Sequence, residues 1–152
     1  MDAIKLFSIV LLMSMSQLVS ADTLSSFSTD GCSSFPEGTI KHQSLWADCC
    51  LRHDLAYWKG GTYEERKTAD DELAACVTKV GEPEIAKLML AGVRVGGSPY
   101  FPTTFRWGYG WSYPRTYQPL SKDEKQQVRE KIKLFVTMIN VFSRELKKEI
   151  GE

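Results

Sequence analysis

The stretch CCLRHDLAYWKGGTYEERKTADDELAACV, residues 49 to 77, concentrates the chain's reactive side chains on helical spacings. Residues four apart share a helical face, so Cys49, His53 and Tyr57 form one column and Cys50, Asp54 and Trp58 form the column beside it. The helical pattern begins near Ser44 and closes after Lys59 on Gly60-Gly61, because glycine accepts the left-handed cap that other residues resist. Thr62, with Glu65 three residues on, is a capping box that opens a second helix reaching about Lys79.

Pro83 suits the first turn of a third, shorter helix to Val95. The following segment, GGSPYFPTTFRWGYGWSYPRTYQP (residues 96 to 119), holds four prolines, four glycines and eight aromatic residues, which excludes a regular helix. Ser121 and Glu124 form another capping box, followed by Val128, Ile132, Phe135, Ile139, Phe142 and Leu146 at spacings of three and four. That pattern predicts a long amphipathic helix over 121–150. Its interspersed charges of both signs suit packing against the protein rather than lying on a membrane.

Upstream, residues 22 to 43 are rich in Ser, Thr and Gly and read as loop. Residues 1 to 21 have the form of a signal peptide: Lys5, an apolar run from Leu6 to Met15, and Val19-Ser20-Ala21 before Asp22. The expected product is a secreted or periplasmic protein with one domain over 22–152, and no cysteine stands at the cleavage point to carry a lipid anchor. Its 19 Lys+Arg balance 19 Asp+Glu, which argues against a nucleic-acid partner and, unless charge is segregated locally, against electrostatic adsorption to membranes. With 43% hydrophobic residues the chain can bury a core.

Export favours oxidation of the four cysteines. Adjacent Cys49 and Cys50 point roughly 100° apart on a helix, so each needs its own partner and two connectivities remain. Joining Cys49 to Cys76 would clamp the second helix beside the His53 column, where Asp70 or Asp71 could meet the imidazole. Joining Cys50 to Cys32 would lay the DGCSSFPEG loop against Asp54, where carboxylate and carbonyl oxygens could surround a hard cation. Helical azimuths alone do not choose between the pairings. Zinc held by Cys49, Cys50, His53 and Cys76 is a poorer alternative, since adjacent ligands are awkward.

CCLRHDLAY resembles the CC-x-x-H-D-x-x-Y signature of secreted phospholipase A2, and Asp70 with Cys76 fits that family's D-x5-C pattern on the next helix. The resemblance covers roughly residues 30 to 77. It implies a mainly α, phospholipase A2-like helical core over 30–79, stapled by Cys32–Cys50 and Cys49–Cys76, with an irregular calcium loop. It also implies that His53 activates water, that Asp70 orients it with support from Tyr57, and that Asp54 binds calcium with carbonyls of Gly31, Ser33 and Phe35. Ser33 and Phe35 stand where the animal enzymes have glycine, and Gly60-Gly61 replaces their β-wing.

The residue types suit that chemistry in their own right. Neutral imidazole can take a proton from water, a carboxylate on its other nitrogen stabilises the resulting cation, and a bound metal ion polarises an ester carbonyl. The expected activity is calcium-dependent hydrolysis of the sn-2 ester of glycerophospholipids at a membrane or vesicle surface. A non-catalytic calcium-, lipid- or partner-binding module of the cell envelope is the alternative. Because Trp and Tyr suit a membrane interface, Trp107, Trp111, Arg106 and Arg115 are expected to rim the lipid-access site.

Overall fold

A computed structural model describes residues 22 to 151; the expected leader at 1–21 lies outside them. The described chain is mainly helical: α1 (Ala47–Lys59), α2 (Tyr63–Lys79), α3 (Pro83–Gly96) and α4 (Lys122–Ile150), with no strand among the described residues. Both capping boxes are present, at Thr62/Glu65 and Ser121/Glu124. The first helix starts later than the Ser44 expected, because the backbone N–H of Trp46 donates to Glu37 in the preceding loop and its indole N–H donates to Pro36.

Helix α2 packs against both α1 and α3. Its inward stripe, Arg66, Ala69, Asp70, Leu73 and Val77, follows the three-and-four spacing of one helical face. Leu73 and Val77 meet Cys49 and Cys50 of α1 and Ala86 and Met89 of α3 in one core cluster. Two disulfides, Cys32–Cys50 and Cys49–Cys76, tie the 30s loop and α2 to α1. A second cluster joins Leu24 and Phe27 of the first described segment to Trp58, Trp111 and Val128. The core therefore extends beyond residues 30–79 in both directions.

The aromatic segment docks on the C-terminal end of α1, for a reason of hydrogen bonding. The last carbonyls of a helix lack partners within it. Here Gly108 N–H donates to the Tyr57 carbonyl at 2.6 Å, Gly110 N–H to Trp58 at 3.1 Å, and the Trp111 indole to Lys59 at 2.8 Å. The Trp107 indole reaches Gly61 at 2.9 Å. The two backbones meet at glycines: a Cβ on Gly60 would stand 2.9 Å from the Gly108 Cα.

This arrangement corrects the expectation that Trp107, Trp111, Arg106 and Arg115 rim a lipid-access site. Trp107 and Trp111 are 1% and 2% exposed, and both arginines are buried with them. Arg106 donates to the Trp111 carbonyl, while Arg115 lies over the Trp111 ring and pairs with Glu124. The Trp111 indole is drawn inward by the orphan Lys59 carbonyl at the helix end, and the Trp107 indole by the Gly61 carbonyl in the turn beyond it. The rings left exposed in this segment are Tyr100, Phe101, Phe105 and Tyr113.

Helix α4 is a packing helix for half its length only. Val128 is buried, and Ile132 and Phe135 pack on the second cluster, Phe135 edge-on to Phe27. From Val136 to Gly151 every residue is exposed.

Candidate active site

The two columns read from the sequence both face inward: Cys49, Cys50, His53, Asp54, Tyr57 and Trp58 are the buried residues of α1. His53 Nε2 lies 3.0 Å from Asp70 Oδ1, and the Tyr57 hydroxyl donates to the same oxygen at 2.7 Å. Asp70 is wholly buried, so its charge has no water to stabilise it. Arg94 of α3 supplies the counter-charge, with Nε 2.9 Å from Asp70 Oδ2. That contact lacks hydrogen-bond alignment and acts as an ion pair.

Arg66 surrounds the same centre. Its Nε donates to the Tyr57 hydroxyl at 3.1 Å, and its Nη2 donates to the carbonyls of Val93 and Arg94. Tyr57 is thereby fixed as a donor toward Asp70, and burial, followed by the Asp70 charge, pushes its phenol well above the usual range. Asp71 lies on the surface and pairs with Arg94, so Asp70 is the carboxylate that meets the histidine. Neither arginine was anticipated as part of the site. The available signal was Arg66 four residues before Asp70 on the stripe that faces α1; Arg94 arrives from another helix and left none.

With Nε2 engaged by Asp70, Nδ1 is the ring nitrogen left for proton transfer. His53 lines a cavity of about 270 Å³ together with Asp54 and Tyr57. The Cys32 loop forms one wall with Gly31, Ser33 and Phe35, and α3 forms the other with Leu88, Met89 and Gly92. The expected calcium-loop residues and His53 thus share one space. Ser33 has a φ of 55°, a left-handed conformation that favours glycine, and its hydroxyl is tied to Asp30 at 3.0 Å. Gly97 abuts the dyad's support, since a Cβ there would come within 2.4 Å of the Tyr57 hydroxyl.

Asp54 is 9% exposed and touches a second, smaller cavity of about 120 Å³ with Ser28, Thr29 and Asp30. Thr29 Oγ1 donates to Asp54 Oδ2 at 2.6 Å and accepts from the Gly31 N–H at 3.1 Å, so a threonine not foreseen from the sequence joins loop to carboxylate. Tyr109 covers this point, donating to the Ser28 carbonyl. Burial pushes the Asp54 carboxyl up from 3.8 to about 6, opposed by the Thr29 hydrogen bond and reinforced by the charge of Asp30. A buried carboxylate raised in this way, with the Asp30 carboxylate lining the same small cavity, is an electrostatic penalty that a bound cation would relieve.

Asp48, Cys49 and Cys76 also come together, but both sulfurs are joined in a disulfide and cannot ligate as thiolates. The zinc alternative fails for the same reason, because all four cysteines are bridged. Comparison of the chain with protein-family models, curated proteins and solved structures returned no significant match.

Proposed function

We propose that the protein is a secreted, calcium-dependent lipid hydrolase that cleaves the sn-2 ester of glycerophospholipids, as the resemblance to secreted phospholipase A2 implies. One observation carries the reading: His53, backed by the buried Asp70, stands on the wall of a largely apolar cavity that Asp54 and the Cys32 loop also line. His53 accepts a proton from water at Nδ1. Asp70 holds the ring through Nε2 and balances the imidazolium, and Tyr57 keeps that carboxylate oriented. Leu88, Met89 and Phe35 offer an acyl chain an apolar surface.

Asp54, with carbonyls of Gly31, Ser33 and Phe35, would hold calcium, which when bound supplies the positive charge that stabilises an oxyanion at an ester carbonyl. The bridged cysteines support an oxidising compartment.

The test is fatty-acid release from mixed phospholipid vesicles with and without calcium. His53→Gln should lower the rate by about 10²- to 10⁴-fold, the range for loss of a general base. Equal release by His53→Gln and the parent would sink the proposal. Calcium binding with no hydrolysis on a broad lipid panel would favour the non-catalytic binding module instead.

A further inference from the structure

The exposed half of α4 is unusual in both polarity and charge. Residues 134 to 143, LFVTMINVFS, contain no charged residue, yet Leu134, Met138 and Phe142 are 52%, 60% and 62% exposed. Stepped at 100° per residue, the apolar side chains of this run other than Val136 fall within an arc of about 160°, and Thr137, Asn140 and Ser143 share the remaining face with Val136. Lys131 and Lys133 precede the run, and Arg144, Lys147 and Lys148 follow it, against Glu145 and Glu149. Residues 131 to 151 therefore carry five positive and two negative charges within a chain whose net charge is +0. The balance that argues against membrane adsorption for the chain as a whole does not hold locally.

The geometry points to the second half of α4 as a docking element for anionic phospholipid surfaces. An exposed apolar arc bracketed by cations matches the layering of a lipid interface, with acyl chains below and phosphates above. The uncharged run is only about 15 Å long at 1.5 Å per residue, half of a roughly 30 Å hydrocarbon layer, so the helix lies in the surface. Among the described residues no helix is long and apolar enough to cross a membrane.

A second copy of the chain is a poorer occupant. Val128, Ile132 and Phe135 already pack on the body, which leaves Ile139, Phe142, Leu146 and Ile150 as the free part of the three-and-four seam. That is fewer than two heptads, where a coiled coil needs about three or more. Like net charges would also oppose the pairing, whereas they attract an anionic bilayer.

Docking is separable from the proposed hydrolysis, because it is read at equilibrium in EDTA. The purified protein is co-sedimented with vesicles of phosphatidylcholine alone and of an equal mixture with phosphatidylglycerol. Preferential binding to the mixed vesicles, weakened by salt, is the expected result. The triple variant Arg144→Gln, Lys147→Gln, Lys148→Gln should lose on the order of a hundredfold in affinity for them, at about fivefold per surface cation. Phe142→Asp should lose binding as well. Both variants change exposed side chains, and far-UV circular dichroism checks their folding; should Phe142→Asp misfold, the triple variant decides. Binding unchanged by the triple substitution overturns the proposal. So does a dimer dispersed by Phe142→Asp with no vesicle binding, which would assign the face to a second copy.

Discussion

Asp54→Asn should stabilise the calcium-free protein, an unusual outcome for a buried site residue. The Asp54 carboxyl is raised from 3.8 to about 6 in the folded chain, chiefly by burial. Between those values the folded protein holds a proton that the unfolded chain has released, so stability falls as pH rises through that window. The penalty is absent below about pH 3.8 and fully present above about pH 6. A shift of roughly two units corresponds to about 3 kcal/mol at 1.36 kcal/mol each. Asparagine has nearly the same shape, can still accept from Thr29 and carries no charge. At pH 8 in EDTA the variant should therefore gain up to about 3 kcal/mol, or about 10 °C in melting temperature for a domain of this size. Near pH 3.5 the two proteins should melt together. Saturating calcium should raise the parent's melting temperature and leave the variant's nearly unchanged, because a ligand stabilises only the state that binds it. Thermal melts at both pH values with and without calcium make the measurement. A variant no more stable than the parent at pH 8, or equally stabilised by calcium, refutes the reasoning.

Gly92→Leu should raise helix stability by nearly 1 kcal/mol, since a Cβ at Gly92 meets nothing within 4 Å, while slowing lipid hydrolysis by narrowing the cavity wall. Melting temperature and vesicle turnover, measured together, should move in opposite directions. Arg66→Leu removes a guanidinium bonded to Tyr57 and to two α3 carbonyls, and should cost about 3 kcal/mol in urea denaturation by leaving buried polar groups unpaired. Replacing Cys32 and Cys50 together by serine opens a bridge of sequence separation 18 and should cost about 3 kcal/mol in the chain-entropy model. The same pair replaced in the presence of calcium should bind the ion more weakly, as the loop is no longer held against α1; calorimetry reads that difference.

Local chemistry determined a large part of this protein before any tertiary contact was considered. The four helices were legible because periodicity, capping boxes and glycine stops act over a few residues, and the columns of α1 placed His53, Asp54 and Tyr57 together for the same reason. Asp70 and the Cys49–Cys76 bridge could be anticipated from the resemblance on the next helix, although azimuth alone left the pairing open. What the tertiary structure decided depends on groups distant in sequence. Arg94 reaches Asp70 from α3, and Thr29 reaches Asp54 from the first described segment. The fate of the aromatic segment lay furthest from view. Composition made Trp107 and Trp111 equally suitable for a lipid interface or a core, and carbonyls at and just beyond the end of α1, those of Lys59 and Gly61, drew their indoles inside. The same limit applies to α4, whose apolar stripe reads alike throughout. Only the extent of the body beneath it determines that Val128 is buried and Phe142 is not.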